Sequence, residues 1–247
     1  MQSPDVAFTF QHILLTRFNV RAFGSHVAPS MSWLLHRTDL FENVCFPSVA
    51  SQTDQTFSWI VWVDLETPSP ILRRLDVLRR QRYFDLSFVP AFDEGVAAHQ
   101  IRDYLTGFPY VLTTRLDNDD ALATDYFRTL KCHIVPGTRS WVNFDHGLQV
   151  GPHGVYRLYR SSNAFISLIE RSISPKTAMC VKHSKAASVA PIMHVDGNAW
   201  WLQVIHGGNL MNYINRPSKR LAWNKAAALM GKFCKQVTAY VMDNILT

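Results

Sequence analysis

The residues with the most evident chemical capacity are Asp117, Asn118, Asp119 and Asp120. Three carboxylates in four positions repel one another. They stay ionised together only if a cation or strong donors neutralise them. Mg²⁺ and Mn²⁺ take oxygen ligands and bridge carboxylates to substrate phosphates. A DxD at a strand end is therefore an arrangement that holds such an ion against a diphosphate, where the ion stabilises charge on a departing phosphate. The same run also reads as turn and cap. Asp and Asn favour helix starts, so Asp119 or Asp120 could cap a helix over Ala121 to Leu130. A calcium EF-hand is excluded, because Ala121, Leu122 and Arg128 stand at the fifth, sixth and twelfth loop positions.

The elements around this run must place it at the edge of a sheet. His12 to Leu15, Phe57 to Val63 and Pro109 to Thr114 are short, apolar and rich in β-formers, as strands buried on both faces are. Asp85 to Val89 is a weaker fourth. Helical patterns lie between them, over Trp33 to Val49, Ser69 to Arg82 and Glu94 to Leu105. This alternation predicts an α/β fold with a largely parallel sheet, whose ligands bind at the carboxyl ends of the strands. Those ends here carry Arg17 and Asn19, Asp64, and the acidic run. Later in the chain, Asn143 to Val150 and Val155 to Arg160 read as a hairpin around Gly151-Pro152-His153-Gly154. A helix is expected near Ala164 to Arg171, a strand over Trp200 to Ile205, and a long helix over Trp223 to Leu246. The whole chain is expected to form one domain: about 10–125 for one substrate, about 126–215 for the other, and 216–247 as a terminal helix.

The bulk composition narrows the class. A chain of 247 residues, 47% hydrophobic and 18% charged, is long and apolar enough for a substantial core. The net charge of +6 would suit a nucleic acid, an anionic membrane or a phosphorylated substrate, but the basic residues are dispersed. The densest group, Arg73, Arg74, Arg79, Arg80 and Arg82, falls on the amphipathic stretch around Ile71, Leu75 and Leu78. It reads first as a solvated face and second as a membrane-surface patch. The four cysteines form no CxxC pair, and a reduced cytoplasmic protein is the expectation. There is no signal-peptide pattern and no apolar run of membrane-spanning length. GxxxxGK[ST], GxGxxG, HExxH and GxSxG are all missing.

Taken together, HILLTRFNVR, LFENVCFPSVASQTDQTFSWIVWVD, YVLTTRLDNDDAL, NAFISLIE and WWLQVIHGGN resemble the rhamnosyltransferase family. That family is related to the family-2 type glycosyltransferases of the GT-A fold. The resemblance implies a metal-dependent transferase, using Mn²⁺ or Mg²⁺, that moves a sugar such as rhamnose from a nucleoside-diphosphate donor to a glycan or glycolipid acceptor. Nucleic acid is not an expected partner. The expected location is the cytoplasm, with peripheral contact at the inner membrane face. Thr16, Arg17, Asn19 and Asp64 match positions that cradle the nucleoside. Asp117 and Asp119 match the DxD, with Asp119 as metal ligand helped by Asp117, and Asp120 behind it. Arg115 would pair with a phosphate or with Asp117. His206, beside Gly207 and Gly208, would complete the metal or diphosphate site. An acceptor hydroxyl needs a carboxylate base, for which Glu170 and Asp196 are the candidates; the adjacent Glu-Asp pair of many relatives is missing. Trp200 and Trp201 would stack on an acceptor sugar or pack the sheet edge. Two rival readings remain. One is a metal-dependent sugar nucleotidyltransferase, against which the missing Gly- and Lys-rich opening loop counts. The other is a non-catalytic nucleotide- or carbohydrate-binding module.

Overall fold

A computed structural model describes residues 9–21, 28–105, 107–135, 137–197, 199–206 and 220–246. The first half alternates strand and helix: β1 (Phe10–Arg17), α1 (Met31–Leu40), α2 (Phe46–Ala50), β2 (Ser58–Asp64), α3 (Ser69–Gln81), β3 (Asp85–Val89), α4 (Glu94–Gln100) and β4 (Tyr110–Arg115). A π-helical turn over Phe41–Cys45 joins α1 to α2 without a break. The second half contributes β5 (Ala121–Leu122), α5 (Tyr126–Cys132), β6 (Ser140–Phe144), β7 (His146–Gly151), β8 (Gly154–Tyr159), β9 (Ser167–Arg171), β10 (Ile192–Val195), β11 (Trp201–Val204), α6 (Trp223–Met230) and α7 (Lys235–Asn244).

Seven strands form the main sheet in the order β10-β6-β9-β4-β1-β2-β3. Every pairing is parallel except the two made by β9. The expected parallel α/β architecture is therefore present. Its apolar strands are buried on both faces, with Ile13, Leu14, Leu15, Ile60, Val61, Trp62 and Val63 at most 1% exposed. Each such side chain contributes roughly 1.5–3 kcal/mol of burial. The carboxyl ends of β1, β2, β4, β6 and β10 share one edge, which the ligand rule for such sheets marks as the functional edge.

A second, four-stranded sheet runs β5-β11-β7-β8. The chain leaves the first sheet and enters the second at Asp145, between β6 and β7. The expected hairpin is thus real for β7 and β8, but its first residues belong to the main sheet. β11 crosses Gly147 so closely that a Cβ there would lie 2.0 Å from the Trp201 ring. Only a residue without a side chain admits that approach.

Three expected elements differ. Ala121 and Leu122 form strand rather than helix, because they pair with Leu202 and Trp201 of β11; the helix starts only at Tyr126. The region expected as a helix near Ala164 to Arg171 is the central strand β9, whose apolar residues are covered on both faces. The terminal helix is two helices, since α6 stops at Gly231 and α7 begins after Cys234. Among the described residues, no helix is long and apolar enough to cross a membrane.

Candidate active site

β4 delivers the acidic run to the functional edge, and β5 follows it at once. The pairing of β5 with β11 then carries the end of β11 back beside the acidic residues. Val204 donates its backbone N–H to Asp120 at 3.0 Å. Two residues on, His206 places Nε2 3.0 Å from Asp119 Oδ2. The structure thus brings His206, expected at the metal or diphosphate site, against Asp119. Gly207, Gly208 and Asn209 lie outside the described residues.

A residue the sequence reading missed sits at the centre. Arg37, on α1, bonds Asp119 and Asn118 through its two terminal nitrogens. The nitrogen on Asp119 is also 3.2 Å from His206 Nε2. Its guanidinium lies over Trp33, 5.4 Å from the ring centroid. The neighbouring His36 holds His206 from behind, Nε2 to Nδ1, at 3.0 Å. Burial, then His206 and Arg37, lower the His36 pKa, which favours the uncharged ring. The only sequence signal was a His-Arg pair on an amphipathic helix, and a solvated face explains such a pair equally well.

The carboxyls of the run stand in different surroundings. Asp120 is fully buried, and burial, then Asp119 and Asp117, push its pKa well up. Burial also works to raise Asp117, but Arg17, Arg115 and Arg37 outweigh it and hold the group below the ordinary carboxylate range. Arg17 reaches Asp117 at 3.5 Å. Arg115 is 7% exposed, and its Nε is buried without a hydrogen-bond partner. The edge therefore offers two arginines beside a carboxylate run, the charge pattern that a metal-bound diphosphate would complement.

The donor set fits a divalent ion of the Mg²⁺ or Mn²⁺ kind. Asp119 Oδ2 and His206 Nε2 converge at 3.0 Å, and a guanidinium already rests against both. The spot therefore accepts positive charge. Mixed carboxylate and imidazole donors suit Mn²⁺, and such ions complete their shell with substrate phosphates. Among the described residues no group of three protein ligands is present, so a diphosphate would have to supply the rest.

The other expected site residues divide. Asn19 and Asp64 meet at the tips of β1 and β2. Asn19 accepts from the Asp64 backbone N–H at 3.1 Å and donates to Thr67 at 2.9 Å. Asp64 is ion-paired to Arg21 at 2.8 Å. Thr16 points to the other face, fully buried, and accepts from the Trp59 indole at 3.0 Å; its side chain is a core contact. Trp201 is 1% exposed, stacks on Phe165 at 4.9 Å and donates to the Phe144 carbonyl. It packs the junction of the sheets rather than offering a face to a sugar. Trp200 is half-buried against Phe144.

The two expected bases are separated by the sheet. Glu170 pairs with Val111 at the amino end of β4, the edge opposite Asp117. It is 1% exposed and accepts from Arg139, Lys176 N and Thr177 N at 2.7, 2.9 and 2.8 Å. The structure thus corrects Glu170 to a saturated structural carboxylate. Asp196 remains at the functional edge. Its side chain is 89% exposed, and it contacts His146 at 3.0 Å.

Comparison with known proteins bears on the family and the fold. The family described as "Putative rhamnosyl transferase" matches residues 11–216. Among solved structures, TarS of S. aureus residues 1–349 in complex with UDP-GlcNAc superposes with a TM-score of 0.51 at 14% identity, covering 96% of this chain and 67% of that one. A longer TarS structure gives 0.50 at 14% identity, covering 79% of this chain and 37% of that one. The chain thus matches little more than a third of that longer TarS, and the likeness concerns the fold. No curated protein matches the chain. With this match over residues 11–216, the chain belongs to this rhamnosyl transferase family.

Proposed function

We propose that the protein moves a sugar, of the deoxyhexose kind such as rhamnose, from a nucleoside diphosphate to a hydroxyl of a glycan or glycolipid. The observation that carries this reading is the convergence of Asp119, His206 and Arg37 beside Asp117 at the carboxyl edge. Asn19 and Asp64, tied together at the neighbouring strand tips, would take the nucleoside. Arg17 and Arg115 would face the diphosphate. Asp119 and His206 would hold Mn²⁺ or Mg²⁺, which supplies charge stabilisation for the leaving diphosphate. Arg37 would then add a second positive group to the same leaving charge. TarS was crystallised with UDP and with UDP-GlcNAc, which supports a nucleotide-sugar donor for this chain.

A thermal-shift panel of UDP, dTDP, GDP and CDP, each with and without Mn²⁺, tests the reading on wild type and Asp119→Ala. A ligand that binds only the folded state raises its melting temperature by mass action. Metal-dependent stabilisation by one nucleotide, lost in the variant, is the expected result and names the donor class. Stabilisation by none would reduce the acidic run to a turn. Binding without release of nucleoside diphosphate from any nucleotide sugar would favour the binding-module reading.

A further inference from the structure

A second cluster of titratable groups lies on the same edge and has no part in the site above. Asn143 donates to Asp145 Oδ1 at 2.6 Å. Asp145 Oδ1 is also 2.9 Å from His194 Nδ1. The Asp145 side chain is 7% exposed, whereas His194 is 46% exposed. A carboxylate accepting from Nδ1–H fixes the tautomer and leaves the Nε2 lone pair free to take a proton. Among the described residues His194 makes no other polar contact. Asp145 is further held by its backbone, which donates to Val195 O at 3.0 Å and accepts from Arg160 N at 2.8 Å. The pair is therefore ordered from the buried side and open on the other.

Strand register puts this pair on the donor's side of the sheet. His194 lies opposite Asn143, Trp141 opposite Leu168, Leu168 opposite Thr113, and Thr113 opposite Ile13. Laterally paired residues share a face, and so do residues two apart along a strand. Hence His194 and Asn143 share a face with Arg115 and with Leu15 and Arg17, while Asp145 and Asp117 follow just past the carboxyl ends of β6 and β4. β10 and β4 are three strand positions apart, roughly 14 Å at about 4.8 Å per strand. That gap has room for a diphosphate, a sugar ring and an attacking hydroxyl in series.

We propose that His194 is the general base of transfer and that Asp145, held by Asn143, is its positioning residue; this rests on the transferase reading above. In a single displacement with inversion, the acceptor O–H proton passes to His194 Nε2. The acceptor oxygen bonds the anomeric carbon. The bond from that carbon to the phosphate oxygen breaks, and its electron pair leaves on the nucleoside diphosphate. An imidazole thereby serves where Glu170 is placed at the wrong edge.

The experiment measures release of nucleoside diphosphate from dTDP-rhamnose, UDP-glucose, UDP-GlcNAc and GDP-mannose, with water as the acceptor, for wild type, His194→Ala and Asp145→Asn. Affinity for the matching nucleoside diphosphate is measured in parallel. His194→Ala is expected to keep that affinity and lose 10²- to 10⁴-fold in rate. Added imidazole should restore part of the loss in His194→Ala and none in Asp145→Asn, whose own ring still fills the place. An unchanged rate in His194→Ala, or a loss that imidazole does not touch, overturns the assignment while leaving the transferase reading intact. Wild type that releases no nucleoside diphosphate from any of the four donors sinks both together.

Discussion

A single buried carboxylate, Glu170, and the acidic run Asp117 to Asp120 stand at opposite ends of β4, and they are built on different principles. Glu170, at the amino edge, is saturated. One arginine and two backbone N–H groups meet its oxygens, and it owes nothing to a ligand. The run Asp117 to Asp120, at the carboxyl edge, is crowded. Three carboxyls share one stretch, burial and the two neighbouring carboxylates push the Asp120 pKa up, and arginines from three separate segments crowd around Asp117. Buried charge that is fully paired within the chain is a structural device. Buried charge packed more densely than stability requires is the mark of a site whose counter-charges are meant to be exchanged.

The sharpest way to break this comparison is to neutralise each in turn. Asp119→Asn should cut transfer by about 10²- to 10³-fold, the scale of losing one preorganised charge contact, with little change in the melting temperature. Glu170→Gln should do the reverse. Loss of the charge facing Arg139 costs about 2–3 kcal/mol, a fall of roughly 4–12 °C at this chain length, with nucleotide binding kept. Full stability with lost transfer in Glu170→Gln would restore that residue as the base. A smaller effect concerns the second sheet, which delivers His206. Gly147→Ala forces a methyl into the Trp201 ring and should cost about 1–3 kcal/mol in urea unfolding, with a parallel loss of metal-dependent nucleotide binding. Loss of stability with binding intact would show that His206 needs no such support.

A further effect, read as a slope with pH, belongs to the core between the two edges. His12 is buried among Phe57, Phe127 and Thr114, and burial, then Lys131, lowers its pKa to about 3. The unfolded chain takes up the proton near pH 6.5. The folded-state value is depressed for a base, so the stability it contributes is present above about pH 6.5 and is lost as pH falls toward 3. The slope is at most about 1.4 kcal/mol per pH unit. Urea titrations at pH 7, 6 and 5 should show this slope, and His12→Gln should flatten it. An unchanged slope in the variant would assign the proton uptake to other groups.

The legible parts of the sequence were those with a short-range signal. Three apolar runs ending in polar residues gave β1, β2 and β4 and the edge they share. The acidic run and His206 were found from residue type and neighbours. What escaped depended on contacts between distant segments. Arg37 has no motif; only the fold lays it on Asp119, 82 positions away. Asp145 and His194 lie 49 apart and look like ordinary loop and strand residues until β10 pairs with β6. The strand β9 read as a helix because an apolar run covered on both faces carries no clean period. Ala121 and Leu122 read as helix because their partner, β11, lies about eighty residues on.

That last pairing also sets an order of events. Arg37, Asp119 and His206 come from three stretches, with 169 positions between the outermost two. Contacts of such separation form late, after nearer ones have already closed much of the chain. On that ordering, the acidic loop would spend part of folding without its imidazole. The short β5–β11 clasp is the step that ends this interval. A nucleotide and its ion, arriving at the finished edge, would favour that closed clasp over every earlier state. Donor supply would then govern how much of this chain survives in a cell, as well as how fast it works.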